Sequence, residues 1–146
     1  MTVSFFGHRK ICGNEEIKRK LKEILQKLIA ENGATNFYVG NNGEYDTIVR
    51  KTLKELKKDY PQINYAVVLS YLPIENKIKE NDDYSDTIFP EELAKVPRRF
   101  AIDKRNHWMI ERSSAVVTYV KNNIGGAAKF KEIAEKKGLN IINISD

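Results

Sequence analysis

The stretch Ala115-Val116-Val117-Thr118-Tyr119-Val120, followed by Lys121-Asn122-Asn123-Ile124 and then by Gly125-Gly126, decides the fold. Its apolar, β-branched first half reads as a buried strand, and the apolar spacing over 127–137 reads as a helix opened by the glycines. At such a turn, unpaired backbone N–H groups meet the positive end of a helix dipole with no side chain in the way, an arrangement suited to phosphate.

Two other strand ends repeat it. Phe5-Phe6-Gly7-His8-Arg9 closes a strand over 2–6, and Tyr38-Val39-Gly40-Asn41-Asn42-Gly43 closes one over 35–39. Between them Asn14 is the expected N-cap of a helix over 14–32, with Ile17, Leu21, Ile24, Leu25, Leu28 and Ile29 at helical spacing and Gly33 beyond its end. A second helix over 44–59 presents Ile48, Val49, Leu53 and Leu56, and residues 63–69 form a third strand, apolar on both faces in its second half. From 71 to 97 the pattern breaks around Pro73, Pro90, Pro97 and the acidic Glu80-Asn81-Asp82-Asp83, which predicts a long lid-like or binding loop with a short helix near Pro90-Glu91-Glu92-Leu93. A helix over 103–113, the strand over 115–120, a helix over 126–137 and a strand over 139–144 complete the chain. Strands alternating with helices imply a Rossmann-like three-layer α/β sandwich with a mostly parallel sheet, its ligands held at the carboxyl ends of the strands.

With 146 residues, a single domain over 1–146 is expected. No apolar run approaches the roughly 20 residues of a membrane span, and no signal-peptide profile precedes the first strand, so the expected location is the cytoplasm. One cysteine, Cys12, and two histidines exclude a disulfide framework and a Cys/His zinc cluster, so neither metal nor cofactor is expected. The net charge of +5 favours anionic partners. Most of it is lysine interleaved with glutamate, as in Glu15-Glu16-Ile17-Lys18-Arg19-Lys20, which reads as a solvated helix face. Pro97-Arg98-Arg99-Phe100 with Lys104-Arg105 is the exception, a cationic cluster at a helix start.

The candidate ligand residues follow from these turns. Gly7 permits backbone approach beside His8, and Arg9 offers a planar donor fork. Gly40, Asn41 and Gly43 open the second helix; Glu44 and Asp46 fall in its first turn, where the dipole favours carboxylates and where either could accept hydrogen bonds from ribose hydroxyls, Glu44 being the stronger candidate. This motif follows the second strand and lacks the G-x-G-x-x-G spacing, which argues against a dehydrogenase. Arg99, Arg105 and Asn106 supply the third group. Arg105 shares a helix face with Met109, whereas Trp108 reads as packing.

The glycine turns, Arg99-Phe100-Ala101-Ile102-Asp103-Lys104-Arg105-Asn106 and Gly125-Gly126-Ala127-Ala128-Lys129 together resemble the SLOG superfamily, which joins DprA/Smf domains, LOG phosphoribohydrolases and YpsA-like proteins, with the YpsA-like branch the best fit. The resemblance implies a Rossmann-like pocket for nucleotides or nucleotide-derived signals. Enzymatic members carry P-G-G-x-G-T-x-x-E with an arginine four residues before a methionine. Here Arg105, Met109, Gly125, Gly126 and Glu132 match, while Ile124, Ala128 and Lys129 replace the proline, the third glycine and the threonine. Lys129 becomes a candidate phosphate ligand by point charge, and Glu132, with Glu44, a candidate catalytic carboxylate.

The expected function is capture of a nucleotide-derived small molecule, ADP-ribose-like or cyclic, by a sensor or sequestering protein that forms a homo-oligomer. The alternatives are N-glycosidic hydrolysis of nucleoside monophosphates and, third, DprA-like binding of single-stranded DNA.

Overall fold

In the computed structural model, which describes residues 1–71 and 86–145, the chain runs β1 (Thr2–Gly7), α1 (Asn14–Asn32), β2 (Asn36–Val39), α2 (Glu44–Asp59), β3 (Asn64–Val68), β4 (Thr87–Ile88), a 3-10 turn (Glu91–Leu93), α3 (Arg98–Glu111), β5 (Ala115–Tyr119), α4 (Gly126–Lys136) and β6 (Asn140–Asn143). The strands form one sheet in the order β4-β3-β2-β1-β5-β6, and every pairing is parallel. This is the Rossmann-like α/β arrangement expected.

Strand alternation sorts the core into two layers. Phe5, Phe37, Val39 and Val117 face α1 and α2, where Leu21, Leu25, Leu53 and Leu56 pack. Phe6, Val68 and Val116 face the other way, toward Met109 and Ile110 of α3 and Phe130 and Ala134 of α4. Both faces of the central strands are covered, and every residue of β5 is buried, as an unbroken apolar run in a parallel sheet requires. Successive strands step from β1 outward to β4, then the chain returns to the opposite side of β1 for β5 and β6. The sheet therefore has its switch point between β1 and β5, where ligand crevices form.

Several boundaries differ from the expected ones. Helix α3 starts at Arg98 rather than 103, because Pro97 supplies a helix-compatible φ of −55° and cannot itself extend the helix backward. Its first turn, Arg98-Arg99-Phe100, carries no apolar spacing that would reveal it. Asn14 is the first helical residue rather than the cap; Gly13, at φ 77°, takes the cap position, and no side chain caps α1. The helix near Pro90 is only a 3-10 turn. Strand β4, two residues pairing with Val67 and Val68, is too short to show a period in sequence. Residues 72–85, with Pro73, the acidic 80–83 patch and Tyr84, lie outside the described residues. Among those described, no helix is long and apolar enough to cross a membrane.

Candidate functional site

At the switch point, the carboxyl ends of β1 and β2, the start of α4 and one face of α3 enclose a cleft of about 340 Å³, within the size range of small-molecule sites. Each wall has a distinct chemical basis.

The α4 wall is backbone. Gly125 caps the helix at φ 103°, a left-handed-side conformation that suits glycine, and no side chain caps it. The first intrahelical bond runs from Lys129 N to Gly125 O, leaving the amides of Gly126, Ala127 and Ala128 ahead of it without helical acceptors. Gly125, Gly126 and Ala127 line the cleft, and a Cβ built on either glycine would meet nothing within 4 Å. This turn is open.

The α3 wall is a pinned arginine. Arg105 is 3% exposed; its Nη1 donates to Asn42 Oδ1 at 2.6 Å and Asn41 Oδ1 at 3.2 Å, and its Nε donates to Asn106 Oδ1 at 3.1 Å. The guanidinium lies directly on Gly40, where a Cβ would come within 2.9 Å of Cζ. Burial pulls the Arg105 pKa below its ordinary value, and the nearby Asp46 charge opposes that fall.

The α2 wall centres on Tyr45 and Asp46. Tyr45 is fully buried, donates its hydroxyl to Val117 O at 2.9 Å and fills the space over Gly7, so a side chain at Gly7 would run into its ring. Asp46, 8% exposed, accepts Asn42 N–H at 3.0 Å through Oδ2 and lines the cleft. Burial raises its carboxyl to a pKa of about 6, against the pull of that N–H and of Arg105, Arg50 and Arg9.

The β1 loop completes the enclosure. His8 and Arg9 line the cleft; His8 Nε2 accepts Lys121 N–H at 2.9 Å, tying this loop to the one after β5. Glu44 N–H donates to Arg9 O at 2.8 Å, and Gly43, at φ 121°, lies so close that a Cβ would fall 2.7 Å from Arg9 Cα.

Of the residues singled out in the sequence, Gly7, His8, Arg9, Gly40, Arg105, Asn106, Gly125 and Gly126 share this cleft. Asn41 stands behind it as a support for Arg105, and Gly43 makes room for Arg9. Four lie elsewhere. The Glu44 carboxylate accepts Ile11 N–H at 2.7 Å on the exposed side of the loop, and the Arg99 guanidinium covers the Phe100 ring at 4.8 Å. Lys129 pairs with Asp103 at 2.5 Å, and Glu132 pairs with Lys136 at 3.0 Å on an exposed helix face. None of these four lines the cleft. Asn42, Ile102 and Asp46 line it without having been among the leading candidates. For Asp46, the available signal was its position four residues after Asn42, the reach at which a helix-start carboxylate caps a loop amide. Trp108 packs against Tyr38 and under Arg112, and Met109 is fully buried. Among the described residues no group of His, Cys, Asp and Glu could hold a metal ion.

The chain is similar to the X-ray structure of DNA processing protein A (DprA) from Streptococcus pneumoniae, with a TM-score of 0.66 at 16% identity over 96% of this chain. It spans 48% of that chain, about half its length, and at this identity the likeness concerns the fold. No curated protein matches the chain significantly. The family model YpsA, described as the YspA SLOG family, matches residues 4–141, and with nearly the whole sheet and every wall of the cleft inside that span, the chain belongs to this SLOG family.

Proposed function

We propose that the cleft binds a nucleotide or nucleotide-derived signalling molecule, of ADP-ribose-like or cyclic type, and that the protein acts as a sensor or sequestering protein. The observation that carries this reading is the open, uncapped start of α4 at Gly125-Gly126, which faces the same cleft as Arg9 and the pinned Arg105. Backbone amides at a helix start and a fixed guanidinium fork are both phosphate-seeking groups. The hydrolytic reading that rests on Glu44 and Glu132 loses ground, because both carboxylates are engaged outside the cleft. A general base must come within hydrogen-bond reach of the proton it takes.

A second reading, single-stranded DNA, draws support from exposed aromatics paired with arginines near the same edge: Arg98 over Tyr71 at 4.5 Å and Arg99 over Phe100 at 4.8 Å. The similarity to a DNA-processing protein is consistent with it.

Native mass spectrometry of the freshly purified protein, followed by calorimetric titration with a nucleotide panel, tests the proposal. The expected result is a nucleotide-sized adduct or saturable binding at one ligand per chain, with no free base released on chromatography. Release of free base by the wild type would replace capture with hydrolysis. Binding of a labelled oligonucleotide, steeply weakened by salt and not displaced by any nucleotide, would favour the DNA reading.

A further inference from the structure

Asp46 has a feature that phosphate binding leaves unexplained. Its side chain is more than nine-tenths buried, yet one oxygen, Oδ2, meets a single N–H, that of Asn42. Among the described residues Oδ1 has no donor, and no arginine or lysine lies within ion-pair distance, although Arg9, Arg50 and Arg105 all act on the carboxyl from farther off. No polar side-chain atom among the described residues is both sealed from solvent and unpaired, so Oδ1 opens on the cleft that Asp46 lines. A desolvated carboxylate offers about four acceptor positions and here fills one, a costly state unless a ligand completes it.

We infer that Asp46 accepts a hydrogen bond from a ribose hydroxyl, so that the cleft takes ribonucleotides bearing a free 2′,3′-diol in preference to deoxynucleotides. This rests on the nucleotide reading and deepens it. A second phosphate would be repelled by the carboxylate, so the group meeting Oδ1 is a neutral donor attached to an anion. In a nucleotide the donors adjoining the phosphate are the ribose hydroxyls, whereas the base edge lies a full sugar away. Asp46 sits beside Arg105 and Arg9, the anion-seeking side of the cleft, which selects the sugar over the base. Glu44, the other acidic residue of the same helical turn, is committed to Ile11 N–H.

The test is calorimetric titration of the wild type and Asp46→Asn with adenosine and guanosine 5′-monophosphates and their 2′,3′-dideoxy analogues. In the wild type, removing the hydroxyls weakens binding roughly tenfold or more, the size of a hydrogen bond to a charged group. In Asp46→Asn, the preference for the ribonucleotide over its dideoxy analogue is lost, whatever the removal of the charge does to the affinity common to both. The ratio of the two affinities in the wild type also depends on pH, rising as Asp46 ionises between pH 5 and 7.5. The phosphate, His8, Tyr45 and the three arginines are common to both ligands, so their titration cancels in the ratio. This second measurement decides the matter even if the variant fails to fold. Equal wild-type affinity for both ligand types, a pH-independent ratio, or equal weakening of both ligands by Asp46→Asn would overturn the assignment of Asp46 and leave nucleotide binding standing. Absence of binding by all four ligands to the wild type would overturn the assignment of Asp46, and absence of binding by the whole nucleotide panel would overturn the nucleotide reading with it.

Discussion

Gly7 ends β1 and Gly126 begins α4, and what surrounds them is opposite. Gly7 is glycine because the Tyr45 ring occupies the place a side chain would take, and that ring is held by its hydroxyl bond to Val117 O. Gly126 has open space around it. Gly7→Ala is therefore expected to destabilise the fold by about 2 kcal/mol or more through overpacking, while Gly126→Ala leaves stability unchanged or raises it by about 0.5 kcal/mol; chemical denaturation of the two variants checks this. In sequence the two glycines look alike, because the residue that distinguishes them, Tyr45, is brought in from a different turn. Asp46 shows the same limit: acidic residues at a helix start are common, and only the packing of α2 against β1 reveals which of Glu44 and Asp46 is buried. That burial has a measurable consequence. The Asp46 carboxyl is raised from 3.8 to about 6 in the folded state, so the fold favours its protonated form. Its contribution to stability is full below the unfolded value and is lost as pH rises through about 6. The gap, already net of the attraction of Arg105, Arg50 and Arg9, corresponds to about 3 kcal/mol at most. Asp46→Asn is expected to be about 1–3 kcal/mol more stable than the wild type at pH 8, the difference shrinking toward pH 4, as read from thermal melts at both pH values.

Among the elements, α4 has the most consequential attachment. Its contact with the sheet rests largely on Phe130, stacked on Phe6 at 5.7 Å and met edge-on by His107 of α3 at 5.1 Å, with Ala134 behind it. The polar link from α4 to α3, Lys129 to Asp103, joins two side chains that are 55% and 39% exposed; such a pair contributes at most about 1 kcal/mol. Phe130→Ala is expected to cost about 3–5 kcal/mol and to weaken nucleotide binding as well, because the Gly125 turn is positioned by the helix that follows it. Lys129→Ala is expected to shift stability by less than about 1 kcal/mol. Denaturation midpoints and calorimetric affinities of the pair separate an apolar anchor from a surface ion pair. The apolar elements were readable in the chain for the same reason they are stable: Phe130 and Ala134 lie four apart, and Val116 and Val117 face opposite layers of an unbroken apolar run. The start of α3 was not, since Arg98 and Arg99 begin a helix whose first turn is polar and exposed, and β4 gains its identity only by pairing with β3.

For the molecule as a whole, a net charge of +5 is less informative than its distribution. Along the outward faces of α1, α2 and α4 the cations are matched locally: Lys18 with Glu55, Arg19 with Glu23, Lys20 with Glu16, Lys131 with Glu135 and Lys136 with Glu132. At the carboxyl edge of the sheet the cations are arginines held by other means, Arg105 by asparagines and Arg98 and Arg99 over aromatic rings, with Arg9 beside them in the cleft. A field built this way attracts an anion locally rather than over the whole surface. At 0.15 M salt, charges farther than about 8 Å from a ligand are largely screened. Arg9→Ala is accordingly expected to weaken nucleotide binding about tenfold, the loss of one charge-assisted contact, whereas the double variant Lys136→Glu/Lys137→Glu, which changes the net charge by four at the exposed end of α4, about 15 Å along the helix from the Gly125 turn, changes affinity by less than about twofold at that ionic strength. If the double variant weakened binding as much as Arg9→Ala did, the ligand would be sensing the global charge of a polyanion-binding surface, and the cleft would lose its place as the centre of recognition. Repeating both titrations at low salt sharpens the distinction, because an exposed distal charge gains influence as screening falls, while the contact made by Arg9 inside the cleft changes much less.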